Sequence, residues 1–142
     1  MVKITLKVHR PFRLRGLSEK YANELVQSVA YDGVNTMEEV TPKKTNKGSQ
    51  SYYLDDRTNT SIKIKNRTFY LPYVNDGTGI YIGHDRIRPK KAKYLHFFAY
   101  GREWFLKSVR GQKPQNFVQK GVKIMAMNVG KKADKAAKKV FR

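Results

Sequence analysis

The stretch from Leu17 to Val40 constrains the fold of this chain more than any other feature of its sequence. Its apolar residues recur at steps of three and four, which places them on one face of an amphipathic helix. These residues are Ala22, Leu25, Val26, Val29, Ala30, Gly33, Met37 and Val40. Ser18 is a candidate N-cap for this helix. We expect Gly33 to weaken the helix toward its end and to permit a kink there.

Shorter patterns predict strands on both sides of this helix. Residues 3–8 alternate polar and apolar side chains, as in a half-buried strand. Residues 41–49 form a polar segment with no apolar anchor, which predicts a mobile loop. The segments 52–54, 60–65 and 69–74 then predict a meander of strands, with Pro72 placing the last of them at a sheet edge.

The last third of the chain predicts a hairpin followed by a helix. The segments 94–100 and 104–109 flank Gly101-Arg102 as a candidate turn. A helix is expected to begin near Pro114 or Gln115, with possible interruptions at Gly121 and Gly130. Its predicted apolar set is Phe117, Val118, Val122, Ile124, Met125 and Val129.

Together these patterns predict an α+β fold, in which an antiparallel sheet is packed by a long helix from the N-terminal half and a second helix lies at the C-terminus. A chain of 142 residues fits a single domain spanning residues 1–142. Within it we distinguish an N-terminal strand and basic arm at 1–16, a core at 17–128 and a basic C-terminal tail at 129–142.

The net charge of +19 implies a negatively charged partner, which could be nucleic acid, an anionic surface or an acidic protein. The charge is concentrated in residues 3–15, 86–93 and 131–142. The tail also fits a solvated, frayed helix end, because charge alone does not choose between these interpretations. The candidate contacts with DNA or an acidic partner are Arg86, Arg88, Lys90, Lys91, Lys93, Lys131, Lys132, Lys135, Lys138 and Lys139.

The sequence offers little for catalysis, a metal or a cofactor. Cysteine is absent, and the three histidines are scattered without the spacing of a metal pair. Asp55 and Asp56 are adjacent, but neighbours in a strand point to opposite faces and cannot share acid–base work. We therefore expect a protein that is not an enzyme and has no catalytic, metal or cofactor-binding residues. The N-terminal residues lack the apolar run of a signal or membrane span, so we expect a cytoplasmic setting.

Two local motifs carry further information. The first is Tyr70-Leu-Pro-Tyr-Val-Asn-Asp-Gly-Thr-Gly79, which sets rings beside a turn suited to glycine. It lacks the Gly-Lys-Ser/Thr of a phosphate-binding loop. The second is Arg110-Gly-Gln-Lys-Pro-Gln-Asn-Phe117, in which proline fixes the entry to a helix and Phe117 can dock its ring. Each motif alone also fits a purely structural turn or helix start.

In this order, after a helix and a Thr41-Pro42 loop, the motifs resemble those of the tail-completion, or minor tail-component, family of long-tailed bacteriophages. The resemblance covers about residues 20–128. This chain has Asn75 and Asp76 where that family has a Glu and an aromatic residue, and Asn46 where it has Gly. The resemblance implies that the turn and the helix entry take part in assembly. Their residues are Tyr70, Pro72, Tyr73, Gly77, Gly79, Pro114 and Phe117.

The resemblance implies a structural virion protein that forms a ring of six subunits, or another closed cyclic number, in the phage neck. Its expected partners are copies of itself, a head connector or stopper protein, and a tail terminator or tail tube protein. Non-specific contact with phage DNA is also expected, without any membrane. The expected location is the virion, and the host cytoplasm during assembly.

The alternative is a stand-alone nucleic-acid-binding module. The rings between Tyr94 and Phe105 lie beside Arg102, and rings interleaved with basic residues can stack on bases. Rings at alternate positions of a hairpin are more typical of a packed core, which is the competing interpretation of the same pattern.

Overall fold

The computed structural model describes residues 2–7, 19–43, 46–58 and 60–141. The chain divides into two compact units, one of Met1–Leu71 with Phe117–Arg142 and one of Pro72–Asn116. Its elements are β1 (Lys3–Lys7), α1 (Glu19–Val40), β2 (Tyr52–Asp55), β3 (Ser61–Asn66), α2 (Leu71–Asp76), β4 (Leu95–Ala99), β5 (Arg102–Leu106) and α3 (Phe117–Val140). The predicted α+β fold is confirmed, whereas the single domain stays a prediction.

The first unit is built on an antiparallel sheet in which β3 lies between β1 and β2. The register pairs Ile4 with Ile64 and Leu6 with Ile62, and Leu54 of β2 pairs with Ile64 from the other side. Because side chains alternate along a strand, these five residues share one face of the sheet. Ile62 and Ile64 are completely buried, so this face forms the floor of the core.

Helix α1 packs on this apolar face, where its Val26 and Ala30 contact Ile62. It contacts all three strands of the sheet and also α3. The predicted helix is confirmed from Glu19 to Val40, while the candidate N-cap Ser18 lies outside the described residues. The helix continues through Gly33 without a break.

Helices α1 and α3 run antiparallel, and each places a methionine against a glycine of the other. A Cβ added to Gly33 would lie 2.6 Å from Cδ1 of Ile64 and 2.7 Å from Sδ of Met125. A Cβ added to Gly121 would likewise meet Sδ of Met37. The expectation that Gly33 weakens α1 overlooked this role, since the close approach of the helices offsets the low helix propensity of glycine.

Helix α3 begins at Phe117, two or three residues later than expected. The reason is Asn116, whose φ of +51° is not helical. The helix continues through Gly121 and Gly130 to Val140, so residues 131–140 belong to it.

The apolar face of α3 differs from the predicted set. Its buried residues are Phe117, Gly121, Met125 and Ala136. Val122, Ile124 and Val129 were predicted to be part of that face, but each is at least 40% exposed. The prediction counted large side chains, whereas the helix packs on the side where glycine and alanine allow α1 to approach.

The described ends of the loop between α1 and β2 are held by polar groups, while residues 44 and 45 of the predicted mobile loop lie outside the described residues. Thr41 is 1% exposed, and its Oγ1 donates to the backbone O of Met37 at 2.6 Å and shares a hydrogen bond of 2.9 Å with the Tyr52 hydroxyl. At the far end, Nδ2 of Asn66 donates to the backbone O of Gly48 at 2.8 Å. Burial raises the pKa of Tyr52, which fits its place in this buried network.

The segment 69–74 was predicted to be an edge strand, and this prediction is wrong. Residues Leu71–Asp76 form α2, with Pro72 in its first turn. The missing N–H of proline has no helical partner to lose at that position, so proline is well tolerated there. Leu71 is 1% exposed and supplies the only fully buried side chain described between Phe69 and Tyr73.

Candidate interaction surface

The two sequence motifs pair with each other within the second unit, which contains all of their residues except Tyr70, Leu71 and Phe117. The N–H of Thr78 donates to the O of Gln112 at 2.9 Å, and the N–H of Ile80 donates to the O of Arg110 at 3.0 Å. The two residues before α3 both donate their N–H groups to the O of Asn75, at 3.1 and 3.0 Å. The motifs are therefore two halves of one antiparallel backbone pairing, which the sequence analysis did not predict.

Gly79 and Gly111 allow this pairing. Their φ angles are +63° and +98°, and a Cβ on either would fall onto the opposite backbone, at Arg110 O and Thr78 O respectively. Only glycine fits both the conformation and the space. A Cβ on the neighbouring Gly77 would lie 2.9 Å from Cδ of Pro114, so the glycines and the proline of the two motifs meet at one point.

The second unit, Pro72–Asn116, which we call the arm, contains two further antiparallel pairings. Ile87 and Val109 exchange two backbone hydrogen bonds of 2.9 Å. β4 and β5 then pair up to a turn at Tyr100-Gly101, with φ of +55° and +76°. The predicted hairpin is confirmed, but its turn lies one residue before Gly101-Arg102, because this kind of turn needs a positive φ at both central residues.

The arm leaves its large apolar side chains exposed. Every hydrophobic side chain that is buried among the described residues belongs to the first unit. The exposed fraction reaches 70% at Phe98, 98% at Tyr100 and 59% at Phe105. The complete exposed set in the arm is Tyr73, Ile80, Ile82, Ile87, Tyr94, Phe97, Phe98, Tyr100 and Phe105. Their number makes the arm a candidate interaction surface, because monomers rarely expose large apolar patches.

The hairpin rings were expected to form a core, and the exposure of Phe98, Tyr100 and Phe105 shows that this expectation is wrong for them. A two-stranded hairpin has two faces and supplies no second layer of its own to cover either. Alternating rings in the sequence therefore indicated the hairpin correctly but did not indicate what covers it.

The exposed rings are held in defined positions. On one face the rings of His96 and Phe105 stack with centroids 4.4 Å apart and planes within 6°. On the other face the Arg102 guanidinium lies 4.0 Å from the centroid of the Trp104 ring, a cation–π contact. Nε1 of Trp104 donates to the O of Ala99 at 2.9 Å. These contacts fix the orientations of the His96, Trp104 and Phe105 rings.

The predicted basic contacts fall into two separate groups. Arg86, Arg88, Lys90, Lys91 and Lys93 are exposed residues of the arm, and Lys131, Lys132, Lys135, Lys138 and Lys139 belong to α3 in the first unit. The arm has nine Lys and Arg against three Asp and Glu, a net charge of +6. Within the arm, Arg86 is tethered, since its Nε donates to Oγ of Ser108 at 2.9 Å.

The aromatic residues of the motifs have unlike surroundings. Tyr70 is half-buried and its ring makes an edge contact with Phe69 at 5.9 Å, whereas Tyr73 is 59% exposed. Phe117 is 1% exposed, which confirms its interpretation as a core aromatic at the start of the last helix. Pro72 is half-buried and Pro114 is exposed.

In the part of the chain that the structure describes, no three His, Asp or Glu side chains come together as metal ligands. None of its helices has the length and apolar character to cross a bilayer. No protein-family model, curated protein or solved structure matches this chain.

Proposed function

We propose that this chain is a structural subunit of the neck of a long-tailed bacteriophage, which assembles with its own copies into a ring between the head connector or stopper and the tail terminator or tail tube. The observation that carries the proposal is the arm, in which the two family-like motifs pair with each other and nine large apolar side chains stay exposed.

The composition of the arm favours a protein partner. Tyr, Trp, Phe and Arg are enriched in protein interfaces, and the residues that dominate binding energy come from the same types. The arm exposes rings and also carries four arginines. Because rings such as His96, Phe105 and Trp104 are already held by intramolecular contacts, little side-chain entropy would be lost on binding.

The proposed ring requires the contact to be asymmetric. The arm of one subunit would bind a different surface of the next, and a heterologous contact of this kind generates a closed ring when its rotation closes. The expectation of six subunits comes from the family resemblance. Assembly of this kind needs no catalytic group and no cofactor.

The direct test replaces the most exposed rings of the hairpin. The triple variant Phe98→Ser, Tyr100→Ser, Phe105→Ser should change the free energy of unfolding of the subunit by no more than about 1 kcal/mol, because exposed positions contribute little. Sedimentation velocity should nevertheless show the variant as a monomer at concentrations where the wild-type protein assembles.

The matched control removes exposed rings from the first unit. Tyr31 is 60% exposed and Phe69 is 80% exposed. The double variant Tyr31→Ser, Phe69→Ser should assemble as the wild-type protein does. Equal assembly of the wild-type protein and the hairpin variant would exclude the arm as the assembly surface.

A stand-alone nucleic-acid-binding module is the second candidate, and the exposure of Phe98 and Tyr100 favours it. Exposed rings beside basic residues can stack on unpaired bases. Against it, Glu103 lies on the same face as Phe98 and 3.6 Å from His96, which places a carboxylate where phosphates would pass. Tight binding of a single-stranded oligonucleotide by the monomer, lost in the hairpin variant, would favour this candidate over the ring.

A further inference from the structure

We propose that the solvent-facing side of α3 binds the phosphate backbone of double-stranded nucleic acid without reading its sequence. Helix α3 belongs to the first unit and not to the arm, and the inference does not depend on ring formation. It concerns the lysines of α3, which the structure divides into two sets with different roles.

The first set of lysines faces α1. Nζ of Lys132 lies 2.8 Å from a carboxylate oxygen of Asp32, and Nζ of Lys139 lies 2.5 Å from one of Glu24. Both were predicted to contact DNA or an acidic partner. Their charges are instead shared with carboxylates of the neighbouring helix, so we remove them from the candidate surface.

The second set lies on the solvent side of the helix. Lys120, Lys131 and Lys138 are separated by eleven and seven residues, which is close to three and two turns, so they form one row about 27 Å long. Lys123 flanks this row on the solvent side, and Lys135 flanks it on the side of α1, where it lines a groove with Glu24; all five lysines are exposed. Among the described residues, none of the five forms an ion pair. The sequence alone does not show which lysines of α3 pair with carboxylates of α1 and which do not.

The kind of residue in this row favours phosphates over a protein partner. All seven basic residues of α3 are lysines, with Asp134 as its one carboxylate. Lysine is depleted in protein interfaces, whereas arginine is enriched there. A flexible ammonium is a point charge that can meet a phosphate in many orientations, which suits contacts that carry no sequence information.

The same row favours a duplex over a single strand. Binding of single strands relies on rings that stack on unpaired bases, and this side of α3 carries none between Lys120 and Lys138. Ile124 and Met127 lie in the row between Lys120 and Lys131 and have no aromatic face, and Asp134 lies beside the row between Lys131 and Lys138. The three lysines therefore offer spaced charges without a stacking surface, which fits a backbone whose phosphates are regularly spaced.

The test uses the full chain and a mixed-sequence duplex oligonucleotide, with binding measured by fluorescence anisotropy over a range of salt concentrations. The variant Lys120→Gln, Lys131→Gln, Lys138→Gln removes three charges from α3, and Gln keeps a similar helix propensity. The control Lys90→Gln, Lys91→Gln, Lys93→Gln removes the same charge from the arm.

Each phosphate contact contributes about 0.9 to the slope of log K against log salt. The α3 variant should therefore reduce that slope by roughly 2–3, while the arm variant leaves most of it in place. Equal losses in the two variants would mean that net charge alone matters, and would overturn the proposal. So would tighter binding of poly-glutamate than of the duplex at the same salt, since that points to an acidic protein.

Sedimentation velocity of the same two variants separates this inference from the ring proposal. The α3 variant should keep the assembly state of the wild-type protein while losing affinity for the duplex. Failure of the ring proposal would leave the DNA result intact, and an unchanged salt slope in the α3 variant would sink this inference alone.

Discussion

Gly33 and Gly121 bring the two long helices together because neither has a side chain to hold the opposite methionine away. Met125 packs against Gly33, and Met37 packs against Gly121. The sequence analysis placed Gly33 on the apolar face correctly, but it treated glycine only as a weak helix former. The partner helix determines which residue fills the space beside a glycine. The periodicity of apolar residues within one helix does not identify that residue.

Replacing Gly33 with alanine tests this packing. The added Cβ would lie 2.6 Å from Ile64 and 2.7 Å from Met125, both buried, so we expect overpacking to cost about 1–3 kcal/mol. The control is Gly130→Ala in α3, where a Cβ meets nothing within 4 Å. Alanine should stabilise that position by about 0.5–1 kcal/mol. Chemical denaturation of both variants measures the difference, and equal stabilities would contradict the packing described.

Single residues also hold the described ends of the loop that was predicted to be mobile. Its ends are fixed by Thr41 and by the contact of Asn66 with Gly48, none of which is apolar. A search for apolar anchors misses such a loop. Buried hydrogen bonds made by side chains depend on partners that are distant in sequence, and these partners cannot be recognised from the residues of the loop itself.

At the scale of elements, the arm depends on the pairing of two segments that are about thirty residues apart. The helices α1 and α3 could be predicted because their apolar residues are periodic. The pairing of the motifs could not, because it joins backbone groups and leaves no pattern of side chains. Helix α2 was missed for a different reason, because the short apolar run 69–74 fits a strand as well as a helix.

Replacing Gly79 with alanine should open this pairing. The new Cβ would strike the O of Arg110, in addition to the strain of a positive φ. Amide hydrogen exchange should therefore become faster at Thr78, Ile80 and Gln112.

Gly83→Ala is the matched control for this variant. It has a similar φ of +77° but open space around the position, so it carries the conformational strain without the collision. Exchange at the same three amides should stay close to that of the wild-type protein. Equal exchange rates in the two alanine variants would show that the close backbone contact at Gly79 does not hold the two motifs together.

At the scale of the whole molecule, the two units differ in what they expose. The first unit buries the hydrophobic core and exposes a row of lysines on α3, whereas the arm exposes rings and arginines. Composition predicted a negatively charged partner from a net charge of +19, but it could not divide that charge between surfaces. We propose that the arm contacts proteins and that α3 contacts phosphates.

The most direct test of this account is electron microscopy of the purified wild-type protein, with single-particle averages taken over a range of concentrations. The account predicts closed rings of one cyclic symmetry, in which each arm contacts the next subunit. Monomers at every concentration, or particles that form only when nucleic acid is added, would contradict it.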